Sequence, residues 1–354
     1  MPDPDRPSRL ARYLALAYVA LVVYASLYPL SGWRPGVAGP FAFLTAPLPR
    51  YVTLFDLAVN VLGYVPLGFL LAASFRPPRS VTSAIVLATF AGALVSLACE
   101  ATQSFLPARI PSNLDLATNA LGALAGALAA TWLDRRLAGR RAWHTIRERF
   151  FREGHDIDIG LVLLALWLVS QLDPVTLLFG TGDLRELLAP PTTEAYPPAA
   201  FVRIEAFVVA TNLLAAALLA RLLVLPGRSS AAVMALLGAA LAVRTVAFGV
   251  LFSPEDALAW LTPGARIGLA AGTLVALIAL SLPRPIAVTL AGLALMAATT
   301  VVNVAPANPY LAQALAEWRQ GHFLNFNGLT RLVSAAWPFA TLVYLLSAAR
   351  WRDA

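Results

Sequence analysis

Long apolar segments recur throughout the chain and constrain its fold more than any other feature. About ten runs of roughly 18 or more largely apolar residues are each long enough to cross the hydrocarbon core of a bilayer as a helix. Of the 354 residues, 59% are hydrophobic and 13% are charged, which excludes an ordinary soluble domain. We therefore predict an all-α, polytopic transmembrane helical bundle. Its predicted spans lie near residues 13–30, 55–74, 81–105, 114–133, 159–179, 201–225, 231–252, 265–282, 286–305 and 329–348.

Arginine residues gather at alternate ends of the predicted spans. One group precedes the first span, the largest follows the fourth, and another follows the tenth. By the positive-inside rule these ends are cytoplasmic, so we predict that both termini are cytoplasmic and that the number of spans is even. The net charge of +7 is then explained by topology and by contact with anionic membrane lipids, and it does not indicate binding to nucleic acid.

A polar, arginine-rich stretch over residues 135–158 marks the clearest boundary in the chain. It interleaves arginines with Trp143, Phe150 and Phe151, a pattern that suits either an interfacial helix or a solvated cytoplasmic loop. We predict a four-span unit before it, residues 1–134, and a six-span membrane unit after it, residues 159–354.

Polar residues lie within the predicted second, third and fourth spans, at helical spacings that place each set on one face. The predicted topology brings these sets together at the outer surface of the membrane. Because polar side chains inside a bilayer are costly, they form the strongest candidate functional site. The candidate binding residues are Asp56, Asn60, Glu100, Gln103, Arg109, Asp115 and Asn119.

The spacing of these residues also carries a family resemblance. Over about residues 10–135, the chain resembles the VanZ-like family of bacterial membrane proteins. The named member of that family is linked to low-level resistance to the glycopeptide teicoplanin. The resemblance implies a polar centre in a bacterial inner (cytoplasmic) membrane protein, but no particular biochemical activity. It is carried by Asn60-x5-Pro66-Leu67-Gly68, Glu100-x2-Gln103-x3-Pro107-x-Arg109 and Asp115-x3-Asn119-x2-Gly122-x3-Gly126.

Several functions are compatible with this polar centre. An outward-facing pocket would bind a cell-envelope amphiphile, such as a lipid-linked precursor or a glycopeptide, and so affect teicoplanin susceptibility. An intramembrane, envelope-modifying enzyme would use Glu100 or Asp115 as general acid or base. A structural brace of hydrogen bonds would instead hold the helices together, with Gly122 and Gly126 allowing close backbone approach. Transport ranks lower, because the inner halves of spans two to four are almost entirely apolar.

The sequence predicts neither a metal site nor a cofactor. Carboxylate and amide oxygens suit Ca²⁺ or Mg²⁺ in principle, but Arg109 lies in the same candidate cluster and disfavours a cation. The histidines are scattered, and Cys99 is the single cysteine. Soft-metal coordination is therefore disfavoured as well.

The C-terminal unit offers weaker signals. His322, Asn325, Asn327 and Arg331 form a possible second outer site, although Asn327 could equally cap the last helix. Arg244 lies well inside the seventh predicted span, where an isolated guanidinium would be costly. We expect it to pair with an acidic residue of another helix or with backbone carbonyls.

Overall fold

The protein is helical throughout the part of the chain that its structure describes. The computed structural model describes residues 8–36, 39–49, 51–76, 79–136, 147–185, 198–306, 308–309 and 324–349, without the side chains of residues 135, 198 and 324–326. No β-strand occurs in these ranges; one isolated antiparallel bridge joins Phe151 and Val224. The helices are α1 (Arg9–Leu27), α2 (Leu54–Phe75), α3 (Val81–Gln103), α4 (Asn113–Arg136), α5 (His155–Ser170), α6 (Pro198–Leu223), α7 (Ser229–Leu251), α8 (Pro263–Ala279), α9 (Arg284–Val304) and α10 (Leu324–Ala348), with short 3-10 helices at Ala42–Thr45 and Pro254–Asp256.

Each of the ten predicted spans overlaps one of these helices, and the predicted all-α membrane bundle is confirmed. Eight helices are long and apolar enough to cross a membrane, judged over the described residues. The other two, α5 and α8, have 16 and 17 residues. At about 1.5 Å per residue they are somewhat shorter than a typical hydrocarbon core. The number of spans and the side on which the termini lie remain predictions.

The chain forms two compact units, residues 1–146 and residues 147–354. Unit 1 contains α1 to α4, and unit 2 contains α5 to α10. The predicted basic linker, residues 135–158, extends across this division, and its residues 137–146 lie outside the described part of the chain.

Close packing of α2 against α4 organises unit 1. A Cβ added to Gly126 would lie 1.9 Å from the carbonyl oxygen of Val65, and one added to Gly122 would lie 2.2 Å from that of Val61. Only glycine permits this backbone approach, as is common between membrane helices. The prediction that these two residues are packing glycines is confirmed.

Unit 2 is built around α6, which is buried along most of its length. The most apolar stretch of α6 is 72% buried, whereas that of α7 is 28% buried. Helices α5, α7, α8 and α9 all pack on α6. This arrangement gives unit 2 a larger apolar core than unit 1 has in the described residues.

Helix α5 ends at Ser170, nine residues before the end of the span that the apolar pattern predicts over 159–179. Pro174 disfavours helical backbone at the residue before it, and the Asp173 side chain accepts a hydrogen bond from Val175 N at 3.0 Å. The chain continues as a buried, non-helical segment through Thr181. Buried irregular backbone is tolerated only where other protein groups satisfy its hydrogen bonds.

Candidate functional site

A carboxylate from α3 lies at the N-terminus of α4 in unit 1. Glu100 is only 3% exposed, and its Oε2 accepts a hydrogen bond from Ser112 N at 2.8 Å. The Ser112 hydroxyl in turn accepts from Leu114 N and Asp115 N at 3.2 and 3.3 Å, which caps α4. The negative charge therefore lies at the positive end of a helix dipole.

Two further polar side chains hold the C-terminal end of α1. Gln103 Nε2 donates to the Ser26 carbonyl at 3.0 Å. The Arg109 guanidinium donates to the carbonyls of Tyr28 and Ala25 at 2.8 and 3.3 Å. The last carbonyls of a helix have no partner within it, so these contacts complete α1 and place a positive charge at its negative end.

The loop residue Arg109 is half-buried. Burial lowers the pKa of its guanidinium, while the charge of nearby Glu100 acts in the opposite direction. No ion pair within 4 Å joins Arg109 to a carboxylate among the residues the structure describes.

Asn119 links α4 to α3. Its amide nitrogen donates to the Ser96 hydroxyl at 2.9 Å, and its amide oxygen is shielded from solvent with no hydrogen-bond partner in the ranges that the structure describes. Together with Glu100, Gln103 and Arg109, it supplies polar contacts between helices of the kind a structural brace would use.

A second, more accessible layer lies beside these residues. Asp115 is half-buried, and the Asn60 amide is close enough to interact with its carboxylate. Asp56 is exposed and lies within electrostatic range of Asp115. Asp56 also accepts hydrogen bonds from the backbone and hydroxyl of Thr53, at 3.1 and 2.7 Å, and so completes the cap of α2.

The structure therefore places all seven predicted residues toward one end of unit 1, where Glu100 is within electrostatic range of both Asp115 and Arg109. We call these seven residues the unit-1 polar cluster. Ser112 was not among the predicted site residues, although a serine three residues before Asp115 at the start of an apolar run is a typical helix-capping signal.

Unit 2 contains a buried polar group of its own, comprising Asp173, Glu205 and Arg244, which we call the unit-2 polar cluster. Arg244 is 1% exposed and donates to the backbone carbonyls of Asp173 and Thr176 in the non-helical segment. It also lies over the Phe248 ring, with its Cζ 5.0 Å from the centroid. Of the two kinds of partner expected for Arg244, the structure shows mainly backbone carbonyls.

Two carboxylates flank this guanidinium at electrostatic range. They are Asp173, from the non-helical segment, and Glu205, from α6. Asp173 is 1% exposed, and its carboxylate accepts a hydrogen bond from Val175 N. Asp173 was not among the residues predicted from the sequence, where its signal was an Asp-Pro pair within an apolar run.

The possible second outer site is only partly described. His322 and the side chain of Asn325 lie outside the described residues. Asn327 is buried, and neither polar atom of its amide has a hydrogen-bond partner within the described part of the chain. Arg331 is half-buried and interacts electrostatically with Asp173.

Metal coordination finds no support in the described ranges, which contain no group of three or more His, Cys, Asp or Glu side chains able to hold an ion. Cys99 is buried and not disulfide-bonded.

Eight long apolar helices, with polar clusters between helices in each unit, define a multi-pass membrane protein. Residues 13–134 match the sequence model of the VanZ/LLP1 family, which confirms the predicted resemblance for α1 to α4. No curated protein and no solved structure was found to match the chain. Unit 2 lies beyond the family match.

Proposed function

We propose that the unit-1 polar cluster binds the amine- or hydroxyl-bearing part of a cell-envelope amphiphile at the outer side of a bacterial inner membrane. A lipid-linked envelope precursor has suitable chemistry, with sugar hydroxyls, peptide groups and a hydrocarbon anchor. A glycopeptide of the teicoplanin type offers sugars, amines and an acyl chain, so binding of either would alter glycopeptide susceptibility.

The excess of carboxylates over cations in the cluster carries this proposal. Asp56, Glu100 and Asp115 contribute three carboxylates, and the neighbouring Arg109 donates to two backbone carbonyls. Asp115 is half-buried, so a ligand can reach it from outside. An ammonium or hydroxyl group would supply the hydrogen-bond donors and, for an amine, the positive charge that these carboxylates favour.

Asp115→Asn gives a direct test, because it removes charge while keeping the side-chain volume. The purified protein in nanodiscs would be titrated with a fluorescent lipid-linked disaccharide-peptide precursor. We expect binding to weaken about tenfold or more, in line with the loss of a charge-assisted hydrogen bond. Asp134→Asn is the matched control, because Asp134 lies at the opposite end of the same helix and pairs with Arg76 at 2.9 Å.

The alternatives predict other outcomes in the same preparation. Conversion of the precursor, detected by mass spectrometry and abolished in Glu100→Gln, would support an intramembrane enzyme. Equal binding by the wild type, Asp115→Asn and Asp134→Asn would contradict the binding proposal. If cluster variants instead lower only the yield and melting temperature of the protein, the cluster is a brace.

A further inference from the structure

Two arginines of unit 2 are held close together at the C-terminal end of α6. Residues 150–152 run antiparallel to residues 223–225, with Arg152 N donating to the Leu223 carbonyl and Leu225 N to the Phe150 carbonyl, both at 2.9 Å. Arg152 Nε also donates to the Val224 carbonyl at 3.2 Å. This pairing fixes Arg152 beside the last turn of α6, which carries Arg221.

The two guanidinium groups are close enough to repel each other. Arg221 Nη2 donates to the Leu282 carbonyl, and its Nη1 is shielded from solvent and has no hydrogen-bond partner among the described residues. No ion pair within 4 Å connects Arg152 or Arg221 to a carboxylate in the described part of the chain. Such an arrangement is costly unless an anion compensates the two charges.

Groups around Arg152 and Arg221 also favour a bound anion. Arg228 lies over the Phe150 ring, with its Cζ 5.3 Å from the centroid, and adds a third cation near residues 150–152. Helix α9 begins at Arg284, two residues after the Leu282 carbonyl that Arg221 contacts, so the positive end of a helix dipole is also nearby. Arg147, five residues before Arg152, is already paired, because its guanidinium lies 2.5 Å from the Asp158 carboxylate.

We propose that Arg152 and Arg221 bind the phosphate of an anionic phospholipid at the end of α6. Guanidinium groups match phosphate oxygens with strong, directional hydrogen bonds, and one phosphate would neutralise both side chains. A lipid is the favoured source, because both arginines lie at the end of a membrane-spanning helix, beside Phe150 and Phe151. Aromatic and basic residues are typical of the headgroup region.

Both residues are half-buried, so part of each side chain is accessible to a headgroup. Since this site belongs to unit 2 and takes an anion, it is independent of the acidic cluster of unit 1. Its occupancy would therefore persist in Asp115→Asn.

Native mass spectrometry of the full chain tests this proposal. The protein would be extracted in detergent, delipidated and titrated with phosphatidylglycerol or phosphatidylcholine. We expect the wild type to retain phosphatidylglycerol preferentially, and the double variant Arg152→Gln/Arg221→Gln to bind it about tenfold more weakly. The matched control is Arg203→Gln/Arg266→Gln, which removes two exposed arginines outside this cluster and should keep the wild-type affinity.

The wild type alone can overturn the proposal. Equal retention of both lipids would exclude a site selective for anionic lipid. Radiolabelled inorganic phosphate separates the sources: if it binds at these arginines and phosphatidylglycerol does not displace it, the ligand is free phosphate. If the glutamine variants fail to fold, Arg152→Lys/Arg221→Lys keeps both charges. Under the proposal it retains a preference for phosphatidylglycerol that weakens as salt is raised.

Discussion

The polar clusters of the two units use the same contact in different surroundings. In each, an arginine donates to backbone carbonyls of a segment that leaves helical geometry, while carboxylates lie nearby without forming an ion pair within 4 Å in the described residues. Arg109 contacts the end of α1 in unit 1. Arg244 contacts the segment after α5 in unit 2.

Accessibility separates the two clusters. Arg109 and Asp115 are half-buried, whereas Arg244 and Asp173 are each 1% exposed. A ligand could reach the unit-1 polar cluster without unfolding the chain. The unit-2 polar cluster instead satisfies the backbone of a buried irregular segment, which indicates a structural role. Similar residues thus point to binding in one unit and to stability in the other.

Arg244→Met should have the largest effect on folding. It removes the donor to the Asp173 and Thr176 carbonyls and leaves Asp173 and Glu205 buried without their nearest cation. Removing one member of a buried charge group typically costs about 3–5 kcal/mol. Thermal unfolding in detergent would measure the loss. Arg266→Met, at an exposed arginine, is the control, and equal melting temperatures for both variants would contradict a structural role for Arg244.

Gly126→Ala should be the next most damaging change, and it acts on unit 1. The new Cβ would lie 1.9 Å from the Val65 carbonyl oxygen, so α2 and α4 must separate at a cost of about 3 kcal/mol. The yield and the melting temperature of the purified variant would measure this loss of stability. Gly63→Ala is the matched control on α2, because its Cβ would meet no atom within 4 Å. Similar behaviour of the two variants would show that α2 and α4 are not closely packed.

Much of the fold could be predicted from the sequence, because apolar runs and small-residue spacing are local signals. They gave the position of a helix in every predicted span and the close approach at Gly122 and Gly126. The end of α5 was missed, because a mean apolar pattern does not register that one Asp-Pro pair stops a helix. That pair acts together with Arg244, which lies far away in the sequence.

The candidate site could likewise be predicted only in part from the sequence. Helical periodicity identified which face carries Glu100, Asp115 and Asn119. It did not reveal that Asp56 completes the cap of α2, or that Arg109 binds carbonyls of α1. Those contacts depend on how a loop folds back onto another helix, and residue spacing does not encode that geometry.

Arg109→Gln should have the smallest effect, and it tests the comparison most directly. The change removes two hydrogen bonds to α1, but half-exposure allows water to replace the donor, so we expect a loss of about 1 kcal/mol. Arg34→Gln, at an exposed arginine of the same unit, is the control for charge alone. Melting temperatures of Arg109→Gln and Arg244→Met would be compared under one condition. Equal losses would mean that exposure does not separate the two clusters, and the case for an accessible binding site in unit 1 would fail with it.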